Sequence, residues 1–378
     1  PTISFRDIVI QERENDLVGA SFGRGFFVLD DYSALREMTP ENLSKKGKLF
    51  KPRDAKLFKP RNSLGNTGGQ FYTAKNPEYG AVFTYNLNDV PKTSKSLRMQ
   101  RERKLNTDNK DVPFPGYDKL ADEMNEKPAS IILTIKDSEG NHIRNIKKNA
   151  SNGSSRIAWN LRHQSYYPIR GGRGQANSWF NPSGPYVTPG EYHAEIYLEN
   201  NGSVEKLDGP IAFNVKPLRK GTLEGASYNE YNSFRTRVSN LYVAMSKYQD
   251  EFNMMKSKIE LLDKAALQLE TFSPEIMKKI SDFKAKYNAF DSETGSNPAR
   301  DEIGEWDKPT ISMRVQIDIQ GLSTSYGPTD LNKSNLDIAE RLFEKLASDV
   351  KQFKSELESL ENEVKELNPP HLSGTGIN

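Results

Sequence analysis

The hydrophobic period of this chain changes once, near residue 220, and that change limits the folds open to it more than any single motif. Downstream of it Val238, Leu241, Tyr242, Met245, Tyr248, Phe252, Met255, Ile259, Leu262, Ala266 and Leu269 recur at spacings of mostly three and four, the stripe of a long amphipathic helix. Leu342, Leu346, Val350, Phe353, Leu357, Leu360, Val364 and Leu367 repeat the pattern near the C-terminus. Ser273-Pro274-Glu275 reads as the start of a shorter helix running to about Phe290. Pro309 to about Gly321 is a further helix candidate whose Ile and Val content leaves strand open. Two long stripes predict an antiparallel pair, and an α-helical bundle of three to four helices over 221–378 is the economical way to bury them. The Met, Phe and Tyr positions of the stripe are read as core, not as a cofactor box.

Upstream the period is two. Gly80 to Leu87, Ser130 to Asp137, Ile143 to Lys147, Ser155 to Arg162, Glu191 to Glu199 and Val204 to Val215 are strand candidates, with hairpin turns at Asp137–Asn141 and Glu199–Ser203. Six strands suit an Ig-like β-sandwich over 41–220. Ile157, Trp159 and Leu161 fall on one face, so Trp159 is expected in its core and not as a sugar platform. Two insertions interrupt the domain. Residues 92–127 carry Lys92, Lys95, Arg98, Arg101, Arg103 and Lys104, followed by a helix candidate around Tyr117 to Met124. Residues 165–187 mix glycine, aromatics and arginine, which makes Tyr166, Tyr167, Arg170, Arg173, Trp179 and Phe180 the candidate partner-binding residues; a loop covering the end of the sandwich is the plainer alternative. A short repeat also stands out, Lys48-Leu49-Phe50-Lys51-Pro52-Arg53 recurring as Lys56-Leu57-Phe58-Lys59-Pro60-Arg61. Lysine and proline protect exposed sheet edges, so edge strands are preferred over a strip for polyanions.

Residues 1–40 hold a third pattern. Ile3 to Ile10 is a strand candidate, and Leu17 to Asp31 holds two apolar runs around a Gly23-Arg24-Gly25 turn. Asp31 ahead of Tyr32-Ser33-Ala34-Leu35-Arg36 reads as a helix cap. The segment from Asp16 to Arg36 resembles the end of the β-propeller in large bacterial proteins labelled glycosyl hydrolase BNR-repeat or sortilin-like. The resemblance continues through Leu49–Ala55, Pro77–Val82, Ile157–Arg162 and Pro189–Tyr192. It implies that 1–40 are the remnant of the last propeller blade, with Gly23, Arg24, Gly25, Asp30, Asp31, Trp159 and Arg162 as its signature residues. Arg24, Asp30 and Asp31 would then either line the propeller channel or, as is preferred, serve turns and caps. Three strands do not make a propeller. The resemblance therefore also implies that upstream blades, in the same chain or another, are the first partner, that a protein partner in an envelope complex or a glycan is the next, and that the location is extracytoplasmic: periplasm, cell surface or secreted.

Catalytic chemistry is hard to find in these 378 residues. There is no cysteine, hence no disulfide, thiolate site or cysteine nucleophile. His142, His163, His193 and His371 lack metal-site spacing, and no His-Glu-x-x-His occurs. Gly19-Ala20-Ser21-Phe22-Gly23 fits Gly-x-Ser-x-Gly only by letters, because it lies between two strands and not at a strand-to-helix elbow. No phosphate loop and no Asp-box of the Ser-x-Asp-x-Gly-x-x-Trp type is present. No catalytic, cofactor or metal residue is therefore assigned, and no cofactor is expected. A formal charge of +2 argues against a nucleic-acid partner, and no run approaches the roughly 18 apolar residues of a transmembrane segment. The chain opens at Pro1 without a basic, apolar leader, which places any signal peptide upstream. The expected function is that of a non-catalytic accessory or interaction region of a large secreted or envelope propeller protein. The alternative is the C-terminal part of a carbohydrate-active hydrolase whose catalytic residues lie mainly in upstream blades, so whether the parent is an enzyme stays open.

Overall fold

The computed structural model describes residues 2–60, 76–169, 184–295, 297–305, 307–324 and 326–370. It is mixed β plus α and divides into two compact units, one of Pro1–Gln164 with Tyr186–Lys220 and one of Ser165–Pro185 with Gly221–Asn378. Among the described residues, 165–169 thus group with the helices, although residues of the first unit precede and follow them in sequence.

The first unit opens with an antiparallel meander of β1 (Phe5–Gln11), β2 (Asp16–Ser21) and β3 (Phe26–Leu29), which forms a three-stranded sheet of its own. The short helices α1 (Ser33–Glu37) and α2 (Pro40–Ser44) follow, then β4 (Gly47–Leu49), β5 (Ala55–Leu57) and β6 (Ala81–Leu87). The 92–127 insertion forms α3 (Ser94–Thr107) and α4 (Tyr117–Asn125), of which only α4 was expected. β7 (Ser130–Asp137), β8 (His142–Asn149), β9 (Gly153–Trp159), β10 (Gly190–Asn200) and β11 (Ser203–Pro217) complete the unit.

A five-stranded sheet of order β5-β11-β10-β7-β8 and a three-stranded sheet of order β4-β6-β9 curl around a common core as a half-barrel. Alternation sets the inward face: Ile131, Leu133 and Ile135 of β7 and Phe83 and Tyr85 of β6 are fully buried. Trp159 is fully buried as well, with its ring against Tyr192 and Phe213 at centroid distances of 5.3 and 6.0 Å, the core anchor the same-face pattern predicted. β9 stops at Trp159, short of the expected Arg162, because Leu161 adopts φ 56° and turns the chain. The Trp159 indole N–H donates to the Arg162 carbonyl at 2.9 Å and Val187 N–H donates to the Leu161 carbonyl at 2.9 Å, so the corner is held from both sides. Gly80 shows how tight this region is: its φ is 111°, and a Cβ there would sit 2.0 Å from the Trp159 carbonyl oxygen.

The hexapeptide repeat supplies one edge strand to each sheet. β4 pairs antiparallel with β6, and β5 pairs parallel with β11. The chain crosses between the sheets at Lys51-Pro52-Arg53-Asp54.

The second unit contains α5 (Tyr228–Ala266), α6 (Pro274–Thr294), α7 (Pro298–Glu302), α8 (Ile311–Gly321) and α9 (Asp330–Glu366). Reciprocal capping boxes open the two long helices, Ser227 with Glu230 and Thr329 with Asn332. α8 is helical despite its β-branched residues because Thr310 caps it and Ile311, Val315 and Leu322 bury one face at helical spacing. The stripes predicted from sequence form the core, where Phe252 stacks on Tyr287 at 4.1 Å. The expected antiparallel pairing of the long helices is corrected. Glu230–Lys333, Arg237–Glu340, Glu251–Lys354 and Lys258–Glu361 all join residues 103 positions apart, so α5 and α9 run parallel. α6 runs back between them in sequence and pairs antiparallel with α9 through Lys279–Glu363 and Lys286–Glu356. An amphipathic stripe fixes which face is buried and leaves helix direction to the connection.

Candidate interaction surface

β1, β2 and β3 form because two turns permit it. Asn15 takes φ 56° between β1 and β2, and Gly23 and Gly25 take φ 77° and 72° between β2 and β3. Ser21 clamps the second turn by donating both N–H and hydroxyl to the Gly25 carbonyl, at 3.0 and 2.8 Å.

Cross-strand partners share a face of a sheet, and the register sorts the apolar residues into two sets. Val9, Val18 and Val28 lie in one row, with Ala20 and Phe26 beside them. Ile8, Gly19 and Phe27 lie in the row on one side of it, and Ile10, Leu17 and Leu29 in the row on the other side, both on the opposite face. Phe5 leans over Gly19 and meets Phe27 edge-on at 5.7 Å. Neither face is covered: Ile8, Val9 and Phe26 are 59%, 57% and 77% exposed, and Ile10, Val28 and Leu29 are exposed with them. Continuous apolar runs such as Ile8-Val9-Ile10 and Phe26-Phe27-Val28-Leu29 are the pattern of strands buried on both sides. β1 and β3 each pair only with β2 among the described residues, which leaves two free edges as well.

The sheet is fastened at one end. Arg53 donates to the Glu14 carbonyl at 3.3 Å and lies 3.5 Å from the Glu14 carboxylate and 3.8 Å from that of Asp16; Lys56 also binds Glu14. The hydrogen bond from Lys56 holds the Glu14 carboxyl below its usual range, against the effect of burial. Arg156 of β9 donates to the Asp30 and Asp31 carbonyls at 2.8 and 3.0 Å. These contacts pair Arg53 and Lys56 of the repeat internally, as Lys48–Asp208 does for its first lysine, and Lys46 just before the repeat pairs with Glu205. Sequence reasoning missed Glu14, Arg53 and Arg156 as fasteners, because pairs so far apart in the chain leave no local signal.

The residues expected to carry function disperse. Arg24 is exposed on the β2–β3 turn, while Asp30 and Asp31 follow β3 at its other end, roughly 15–20 Å along the strand. Asp31 serves a local turn, its carboxylate accepting from the Ser33 N–H and hydroxyl, but the expected cap is corrected: Tyr32 holds the cap position of α1 and makes no side-chain cap hydrogen bond. The Arg162 guanidinium lies 3.7 Å from the Tyr186 ring centroid. Tyr166 and Tyr167 stack on each other and meet Tyr242 of α5 edge-on and tilted, at centroid distances of 5.3 and 4.5 Å from it. Arg170, Arg173, Trp179 and Phe180 lie outside the described residues. Comparison with protein-family models, with curated proteins and with solved structures found no match.

Chemically the surface offers apolar area and unpaired backbone, and no reacting groups converge on it. Ser21 is committed to its turn. Among the described residues no group of three or more His, Cys, Asp or Glu side chains could hold a metal ion, and no helix is long and apolar enough to cross a membrane.

Proposed function

We propose that this chain is a non-catalytic interaction region of a larger secreted or envelope protein, and that β1–β3 is its docking element, the closing sheet of a β-propeller whose other blades cover it. In this reading the half-barrel is an Ig-like sandwich that carries the sheet, and the helical unit is a further scaffold. The observation that supports it is the three-stranded sheet itself, apolar and uncovered on both faces, fastened by named ion pairs and merged with neither sheet of the half-barrel. Covering Ile8, Val9, Ile10, Phe26, Val28 and Leu29 is worth on the order of 5–10 kcal/mol before the costs of association. An unpaired apolar sheet is otherwise an aggregation hazard.

Photo-crosslinking residues placed at Val9 and at Ile8, one on each face, test the reading in the protein's native setting. The expected adducts at both positions are to β-strand segments outside this sequence. A folded protein that yields no such adduct from either face overturns the proposal.

A further inference from the structure

The helical unit buries a carboxylate that its fold does not satisfy. Asp318 of α8 is fully buried. Its Oδ1 accepts from Asn335 Nδ2 of α9 at 3.0 Å, while Oδ2 has no hydrogen-bond partner. Asn335 is fully used: Nδ2 also donates to the Arg314 carbonyl at 2.9 Å, and Oδ1 accepts from Arg314 Nη1 at 2.8 Å. Arg314 lies one turn before Asp318 on the same helix, yet it points across the seam to Asn335 and leaves its Nε without an acceptor. Arg314 therefore has two competing partners, the Asn335 amide across the seam and the Asp318 carboxylate at i+4.

We propose that the seam between α8 and α9 is a proton-operated latch: a proton taken from solvent onto Asp318 Oδ2 keeps Arg314 on Asn335, and its release draws Arg314 back toward Asp318 and loosens the seam. The charges acting on Asp318 come from Arg314 on α8, Arg237 on α5 and Glu340 on α9, and Arg237 is itself bound by Glu340 and Asp337. Burial raises the Asp318 carboxyl to about 6, against the pull of Asn335, Arg314 and Arg237 and with repulsion from Glu340 adding to the rise. The sign follows from linkage. A carboxyl raised in the closed state binds more protons there than when open, so the closed state loses stability as pH rises through the interval between the ordinary and the raised value.

Hydrogen exchange of α8 in the full chain, corrected for the intrinsic dependence of exchange on pH, reads the latch. Protection of residues 311–321 is expected to fall about tenfold between pH 5 and pH 7.5 in the wild type and to stay constant in Asp318→Asn. Protection that does not change in the wild type, or that changes equally in the variant, overturns the proposal. Arg314→Gln is a second test, independent of how Asp318→Asn folds. Removing the cation moves the midpoint of the transition to higher pH, and an unmoved midpoint also overturns the latch.

Discussion

At the scale of single residues, the β unit shows how a buried charge is made tolerable. Glu195 of β10 is nearly buried, and its carboxylate accepts from Lys136 at 2.8 Å, Lys206 at 2.6 Å and Tyr197 at 2.8 Å. Burial alone would raise its pKa; the three donors instead hold it down at about 2. A carboxyl depressed in the folded state stabilises above its ordinary value and loses that contribution as pH falls from about 4.5 through about 2. Both lysines are partly open to solvent, which screens the pairs. Glu195→Gln is therefore expected to destabilise the β unit by about 1–2 kcal/mol at pH 7, as read by urea unfolding, with the difference shrinking toward pH 3. Asp318 behaves in the opposite sense because its second oxygen finds no donor. Trp159 was legible from sequence, since Ile157 and Leu161 flanked it on one face. The surroundings of Glu195 and Asp318 were not, because beside one neighbour on its own element, Tyr197 or Arg314, each meets residues of other strands or helices that no local pattern links, Lys136 and Lys206 for Glu195 and Asn335 for Asp318.

At the scale of elements, periodicity carried most of the information. The six longer strands of the half-barrel and the helices α4, α5, α6, α8 and α9 appear where alternation or the stripes placed them, although α5 and α9 begin well before the first stripe residues Val238 and Leu342, at Tyr228 and Asp330. α3 was hidden by its composition: it buries no residue and so displays no stripe. β4 and β5 are three residues each, too short for alternation to register, although the repeat marked both. The parallel pairing of α5 and α9 was out of reach because the same stripes serve either direction. It is open to a direct check, since the chain has no cysteine of its own. In Arg237→Cys/Glu340→Cys a short bismaleimide should join the two helices efficiently. In Arg237→Cys/Glu361→Cys, with the second cysteine moved about 30 Å along α9, it should not.

For the molecule as a whole, the decisive property is an imbalance of coverage. The half-barrel and the helical unit each bury a continuous apolar core. The β1–β3 sheet has the sequence of an interior layer and the exposure of a surface one. Placing a charge on each face, as in Ile8→Lys with Val28→Lys, should raise the concentration at which the isolated chain stays monodisperse, measured by light scattering. Its thermal midpoint should change little, because neither side chain packs into the half-barrel. The same double variant should lose assembly with whatever covers the sheet.

The tandem hexapeptide leaves this fold with a built-in decoy. Lys48-Leu49-Phe50 and Lys56-Leu57-Phe58 are identical in letters, so a slip of one repeat would offer each sheet the other's edge. The surroundings break the tie: Phe50 is sealed in the interior and Phe58 stays exposed, and Lys48 reaches Asp208 while Lys56 reaches Glu14. Glu14 belongs to the turn that opens the β1–β3 sheet, so the ion pair that fastens this sheet also tells the second copy of the repeat which edge is its own.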